Sequence, residues 1–104
     1  MKRILSIIVA MLLLLTANVS GANVKTGIEV LREQGFKVLE GKRVGLTTNP
    51  TGVDSQLQST IDILWQAPNV NLVALYGPEH GVRGDVHAGD HVDNDIDKRT
   101  GLKM

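Results

Sequence analysis

Two short apolar runs constrain the fold of this chain more than any other feature. They occupy residues 44–48 and 70–76, and both are rich in residues that suit a β-strand. Between them, residues 59–65 carry apolar side chains at helical spacing, and Pro68 ends that segment. A strand, a helix and a second strand in this order predict a right-handed crossover and a parallel pair of strands. The sequence therefore predicts an α/β fold.

A second local pattern predicts a helix before the first strand. Thr26-Gly27-Ile28-Glu29 matches a capping box, in which the threonine and the glutamate satisfy the backbone amides of the first turn. Gly35 is placed to end this helix in a left-handed conformation, so that Phe36 packs back on it. The run at 70–76 is almost continuously apolar, which predicts a strand covered on both faces.

The N-terminus has the pattern of a secretory signal peptide. Lys2 and Arg3 precede an apolar run that is shorter than the roughly 20 residues needed to span a bilayer, and small residues follow it. We therefore expect residues 1–22 to be removed by cleavage after Ala22. The alternative, an uncleaved anchor helix, is disfavoured because no second apolar or basic flank follows. Residues 23–104 are then expected in the periplasm or outside the cell, without a stable membrane anchor.

Charge and composition exclude several classes of protein. The chain has 11 basic and 11 acidic residues and no cysteine. A nucleic-acid partner is not expected, because such proteins carry a clustered basic excess. The lack of cysteine excludes disulfide scaffolds, thiolate zinc sites, cysteine nucleophiles and a lipid-modified cysteine at the export signal. The sequence also lacks G-x-G-x-x-G, a Walker A loop and the G-x-S-x-G elbow, so no cofactor is expected.

Two polar loops follow the predicted strands, where open parallel sheets bind their ligands. The first spans residues 48–52, and its Asn49 and Thr51 either bind a polar ligand or satisfy the amides of their own turn. In the second, residues 77–85, a partly desolvated Glu79 beside His80 could have a pKa suited to proton transfer. Arg83 could orient a substrate carboxylate through two hydrogen bonds. The residue types equally allow a structural turn in which Glu79 caps a helix or pairs with Arg83.

Residues 86–104 show no periodicity and are expected to form an irregular loop. Six potential metal ligands lie close together there: His87, Asp90, His91, Asp93, Asp95 and Asp97. The aspartate run lacks the glycine and the distal glutamate of a calcium loop, because Lys98 stands where the glycine should be. We therefore expect a solvated acidic loop and no metal. A transition-metal site built from Asp85, His80 and His87 is the weaker alternative.

Two separate motifs resemble a known family. GKRVGLTTNPTG at 41–52 and VALYGPEHGVRG at 73–84 resemble, in the same order, the family long catalogued as domain of unknown function 1343. Its characterised members are exo-β-N-acetylmuramidases of glycoside hydrolase family 171. The resemblance runs from about Thr26 to the last residue, and it includes STID at 59–62 and TGL at 100–102.

The resemblance implies a secreted or periplasmic enzyme that releases N-acetylmuramic acid from the non-reducing ends of peptidoglycan fragments. It implies a Rossmann-like first domain, a smaller second domain and an active site in the cleft between them. The catalytic carboxylate of the P-E-H-G loop falls on Glu79, which would act as general acid or base at the glycosidic oxygen with support from His80 and Arg83.

The remaining site residues follow from the same resemblance. Asn49 and Thr51 would contact the acetamido or lactyl groups of the sugar, and Arg83 suits the lactyl carboxylate because that group is an anion. The partners would be muropeptides or disaccharides derived from peptidoglycan. Glycoside hydrolysis normally needs a second carboxyl group, for which Asp85 and Asp90 are candidates by proximity only, and Asp85 is also assigned to the substrate-binding set.

The length of the chain departs from the family, whose members are several times longer. We therefore expect an incomplete N-terminal part of a larger domain, with poor stability on its own, because two parallel strands leave sheet edges uncovered. The alternative function is an inactive truncated module that at most binds a muropeptide.

Overall fold

The structure is a computed structural model that describes residues 1–15, 23–78, 80–87, 89–90 and 95–104. Two strands form a parallel two-stranded sheet, and a helix lies in the crossover between them. The elements are α1 (Lys2–Leu15), α2 (Gly27–Glu33), a 3-10 turn (Lys37–Leu39), β1 (Arg43–Thr47), α3 (Thr60–Gln66) and β2 (Asn71–Tyr76). The predicted α/β strand–helix–strand unit is confirmed.

The register of the sheet brings the ends of both strands to one edge. Val44 pairs with Leu72 and Thr47 pairs with Tyr76, with one irregularity after Val44. The backbone N–H of Thr48 also donates to the carbonyl of Tyr76 at 2.9 Å. Both polar loops predicted from the sequence therefore leave the sheet side by side.

Helix α2 begins and ends as its local sequence predicts. The backbone N–H and the hydroxyl of Thr26 both donate to Oε2 of Glu29, at 2.6 and 2.9 Å. Gly35 follows the helix with φ of +65°, and the side chain of Phe36 is buried. The capping box and the glycine termination depend on neighbouring residues alone, which is why the sequence predicts both correctly.

The core is formed where α3 packs on β2. Ile61 is 1% exposed and Leu75 is fully buried, with Leu64, Leu72 and Phe36 packed around them. The prediction that β2 is covered on both faces holds for only part of the strand, because Tyr76 is 58% exposed. An apolar composition indicates which residues can be buried. Whether they are buried depends on which other elements pack against the strand in the tertiary structure.

The C-terminal segment, residues 86–104 and called the tail below, pairs with β2 near its end. The N–H of Leu75 donates to the carbonyl of Lys103 at 2.9 Å, and Lys103 also forms a bridge with Ala74. Asp97 donates its N–H to the carbonyl of Leu102 at 2.8 Å, which folds the segment back on itself. As expected, residues 95–104 form no helix or strand, but they are not a free loop, because isolated bridges join them to β2 and to one another. Backbone groups of β2 that are not bonded to β1 form hydrogen bonds with the tail instead, because buried backbone groups need a partner.

The apolar N-terminal segment forms the 14-residue helix α1. Within the residues that the structure describes, no helix combines the length and the apolar character needed to cross a membrane. The proposed cleavage point after Ala22 lies outside the described residues. The signal peptide, and with it the division at residue 22, stays a prediction.

Candidate functional site

An open cleft of about 620 Å³ lies at the carboxyl ends of the two strands. Its lining combines the end of β1 and its loop with the end of β2 and its loop: Thr47, Thr48, Asn49, Tyr76, Gly77 and Pro78. This is the edge at which parallel α/β sheets bind ligands. The cleft therefore brings residues of both predicted loops to one place.

The first loop is a turn closed by its own side chains. Oδ1 of Asn49 accepts hydrogen bonds from the N–H of Thr51 at 3.1 Å and from its hydroxyl at 2.8 Å, and the carbonyl of Asn49 accepts from Gly52 at 3.0 Å. The turn therefore uses the oxygen of Asn49, as the structural alternative predicts. Asn49 and Thr51 are both exposed at the strand end, and their contact with a ligand stays a prediction.

The second loop folds tightly over the strand end and touches the first. A Cβ atom on Gly77 would lie 2.8 Å from both the backbone nitrogen and Cγ1 of Val82, which is buried. Gly84 has φ of +77°, and a Cβ atom there would lie 2.8 Å from Cγ of Pro50 in the first loop. Glycine is therefore needed at both positions. The first and second loops pack against each other, and together they are called the rim of the cleft below.

His80 lies on this rim with its side chain exposed. Its Nδ1 is 3.3 Å from the carbonyl oxygen of Val86. Because a carbonyl only accepts, this contact assigns the hydrogen to Nδ1 and leaves the lone pair of a neutral imidazole on Nε2. His80 can thus accept a proton through Nε2. Asp85 is exposed in the same loop, whereas Glu79 lies outside the described residues, so its catalytic role stays a prediction.

Arg83 is held by two aspartates of the chain itself. Its Nε and Nη2 donate to the two carboxylate oxygens of Asp97 at 2.6 and 3.0 Å, and Nη2 also donates to Oδ1 of Asp62 at 3.0 Å. Arg99 pairs with the other oxygen of Asp62 at 2.9 Å. The sequence predicted that Arg83 would bind either a substrate carboxylate or the carboxylate of Glu79. Its contact with substrate stays a prediction, and its partners among the described residues are Asp97 and Asp62.

Asp97 does not belong to a solvated acidic loop, and that part of the expectation is wrong. Its side chain is only 3% exposed. The Arg83 guanidinium, together with hydrogen bonds from the hydroxyl and N–H of Thr100 at 2.6 and 3.0 Å, lowers the pKa of Asp97 to about 2. The hydrogen bond to Asp97 and, to a smaller extent, the one to Asp62 raise the pKa of Arg83. A buried carboxylate is tolerated here because each of its oxygens has a charged or polar donor.

Asp97 stabilises the fold at neutral pH, and this stabilisation is expected to disappear as the pH falls from about 4 to about 2. A carboxyl group whose pKa is lowered by folding stabilises the fold above its unfolded pKa, and that contribution disappears as the pH falls through the folded pKa. The difference between the ordinary value of 3.8 and about 2 corresponds to about 2 kcal/mol.

The measurement is amide hydrogen exchange at Leu75, whose N–H bonds to the tail. We expect its protection factor to fall about tenfold to thirtyfold over this range, since about 1.4 kcal/mol is a factor of ten. Asp97→Asn should show a smaller fall than the unsubstituted chain. An equal acid dependence in the two proteins would contradict the assignment.

The other potential metal ligands of the tail are exposed or lie outside the described residues. His87, Asp90 and Asp95 are exposed, whereas His91 and Asp93 lie outside the described residues. Among the residues with described positions, no group of three or more His, Cys, Asp or Glu side chains could hold a metal ion.

Sequence reasoning missed Asp62 as a partner of Arg83. A signal existed, because Asp62 interrupts the apolar run of α3 between two buried isoleucines, Ile61 and Ile63. A charged residue at such a position needs a partner in the folded protein. Nothing in the local sequence indicated which residue that partner is.

Comparison with known proteins identifies the family. Residues 44–104 match the family described as "Exo-beta-N-acetylmuramidase NamZ, N-terminal". The chain therefore belongs to this family, and the resemblance inferred from its two motifs is confirmed. The matched residues include both loops of the strand-end cleft.

Two longer proteins are similar to this chain. The peptidoglycan beta-N-acetylmuramidase NamZ of Bacillus subtilis is 54% identical over 81 residues, which are 78% of this chain and 20% of that protein. The crystal structure of a DUF1343 family protein from Bacteroides fragilis matches with a TM-score of 0.65 and 76% identity, covering 75% of this chain and 18% of that one. The chain thus spans about a fifth of the length of these relatives, in agreement with an N-terminal part of a larger Rossmann-like domain.

Proposed function

We propose that this chain is the N-terminal part of an exo-β-N-acetylmuramidase, which hydrolyses terminal N-acetylmuramic acid from the non-reducing ends of peptidoglycan fragments. The observation that carries the proposal is the 54% identity with a peptidoglycan beta-N-acetylmuramidase. The strand-end cleft supports it, because the family match includes both of its loops. Peptidoglycan lies outside the cytoplasmic membrane, so an export signal at residues 1–22 fits this substrate.

In this proposal, the second loop supplies the proton-transfer groups. Glycoside hydrolysis needs a carboxylic acid at the leaving oxygen and normally a second carboxylate near the anomeric carbon. Glu79 takes the first role, and Nε2 of the neighbouring His80 can exchange a proton with it or with water. Asp85 and Asp90 are exposed and remain the candidates for the second role. Asp62 and Asp97 are unsuited to it, because both are ion-paired with Arg83.

The first loop supplies polar contacts to the sugar. The turn around Asn49 orients the side-chain amide, whose Nδ2 can donate to an acetamido or lactyl oxygen, and the hydroxyl of Thr51 can accept. Arg83 has Nε and Nη2 committed to aspartates, so any contact with the lactyl carboxylate would use its Nη1. Muropeptides or disaccharides derived from peptidoglycan are the proposed ligands.

A chimeric enzyme tests the proposal. In this protein, called the chimera below, the 81 matched residues of the Bacillus subtilis relative are replaced by those of this chain. We expect the chimera to release the chromophore from a chromogenic N-acetylmuramic acid glycoside at a rate within tenfold of the parent enzyme. A matched N-acetylglucosamine glycoside serves as the control substrate.

The same assay separates the enzyme from the truncated module. The 104-residue chain alone is expected to release no chromophore, because it spans only 20% of the active relative. A folded chimera without activity would contradict the proposal, and so would equal cleavage of the two substrates.

A further inference from the structure

We propose that Asp97 and Asp62 are positioning residues, which act through Arg83 to hold residues 80–85 of the second loop, including His80, against the turn at Asn49. This inference rests on the proposed function, since positioning has meaning only for a site that works. The inference gives a role to two aspartates that lie outside the two polar loops.

The ion pairs join three segments that are distant in the sequence. Arg83 belongs to the second loop, Asp62 to helix α3 and Asp97 to the tail. Asp97 receives the guanidinium through two parallel hydrogen bonds, the arrangement that restricts the orientation of an arginine most strongly. The side chains are 20% exposed for Arg83, 12% for Asp62 and 3% for Asp97. Water therefore competes little for these contacts.

The residues on either side of Arg83 transmit this restraint to the cleft. Val82 packs against Gly77 at the end of β2, and Gly84 packs against Pro50 in the first loop. His80 and Val86 bracket the segment through two contacts, between Nδ1 and the Val86 carbonyl at 3.3 Å and between the Val86 N–H and the His80 carbonyl at 3.4 Å. A shift of the guanidinium would therefore displace the second loop both at the end of β2 and at its contact with the first loop.

A second ion pair with a buried aspartate, between Arg32 and Asp54, provides the control. Asp54 has a side chain that is 1% exposed, and its Oδ2 accepts from Arg32 of α2 at 2.9 Å. Its Oδ1 accepts from the N–H groups of Gln56 and Gln58, both at 2.9 Å, so Asp54 stabilises the 54–58 segment and its contact with α2. Asp54 and Asp97 are therefore both buried and both paired with an arginine, although Arg32 is 41% exposed and gives Asp54 a single hydrogen bond. Of the two aspartates, only Asp97 is bonded to the loop that carries His80.

The experiment compares Asp97→Asn, Asp62→Asn and Asp54→Asn in the chimera. Asparagine keeps the shape of the side chain but removes the charge that holds the arginine. Turnover of the chromogenic muramoside is measured well below the melting temperature of each variant, so that every enzyme is folded in the assay. We expect kcat to fall at least tenfold for Asp97→Asn and less for Asp62→Asn, with KM changed less than threefold. Asp54→Asn should keep kcat within twofold of the chimera, although its melting temperature also falls.

The outcomes distinguish positioning from the other possible roles. A folded Asp97→Asn variant with unchanged kcat would overturn the inference, and so would equal losses of kcat in Asp97→Asn and Asp54→Asn. A rise in KM alone would overturn it as well, because it would indicate that Arg83 binds substrate directly. Asp62→Asn weakens only one of the three hydrogen bonds to Arg83, because asparagine keeps an oxygen that can accept. If Asp97→Asn does not fold, a larger fall in kcat for Asp62→Asn than for Asp54→Asn supports the inference, and an equal fall overturns it. Lack of activity in the unsubstituted chimera would instead count against the proposed function.

Discussion

Replacing Glu79 with glutamine in the chimera is expected to lower kcat for muramoside hydrolysis by about 10²- to 10⁴-fold, the range that a positioned general acid or base contributes. Glutamine has nearly the same size as glutamate but cannot exchange a proton at the glycosidic oxygen. The loss should be smaller for an aryl muramoside with a very acidic leaving group, because such a group departs without protonation. The measurement is kcat for two aryl muramosides whose leaving groups differ in pKa.

Glu40→Gln is the matched control for this experiment. Glu40 is exposed and lies before β1, far along the chain from the loop of residues 77–85, so the same chemical change should leave kcat within twofold. Near-normal turnover by Glu79→Gln would contradict the assignment of the catalytic carboxylate. Equal losses for the two leaving groups would indicate that Glu79 has another role than protonation.

Gly77→Ala is expected to lower kcat tenfold to a hundredfold while the protein stays folded. The added Cβ atom would meet the backbone nitrogen and Cγ1 of Val82 at 2.8 Å, a distance at which one of the two segments must move. Val82 precedes Arg83 and is buried, so the displacement passes into the loop that carries His80. A misplacement of about 1 Å can cost a hundredfold in rate. The measurement is kcat in the chimera, with circular dichroism to verify the fold.

Gly27→Ala is the control for this substitution. A Cβ atom on Gly27 would meet nothing within 4 Å, and Gly27 begins helix α2, where alanine is favourable. We expect this variant to keep full activity with unchanged or slightly higher stability. If Gly77→Ala retained the activity of Gly27→Ala, the close packing of the second loop on the strand end would have no part in catalysis.

The role of Arg83 shows how a candidate site residue changes meaning when its surroundings are known. As a residue type in a polar loop, an arginine suits a substrate carboxylate. In the fold it forms two hydrogen bonds with Asp97 and one with Asp62, which restrict its side chain. The cation thus links the second loop to helix α3 and to the segment around Asp97, and Nη1 is the guanidinium nitrogen that bonds to neither aspartate.

The features predicted correctly from the sequence depend on residues close together in the chain. The capping box at Thr26, the glycine at position 35 and the turn at Asn49 each involve partners within a few positions. The order of strand, helix and strand restricts the topology to a parallel pair, because a crossover connection allows few other arrangements. The two motifs identified the family correctly for a similar reason, since each is contiguous.

The sequence by itself determined the strand–helix–strand unit, its local caps and turns, and the family to which the chain belongs. Only the tertiary structure decided the partners of Arg83, the burial of Asp97 and the pairing of the tail with β2. These features join residues 14 to 28 positions apart, as the Arg83–Asp97 and Leu75–Lys103 contacts do. The local sequence can mark a charged residue within an apolar run, as it does for Asp62, but it does not show which residue is its partner. The free energy of burying a charge depends on which donor the fold brings to it.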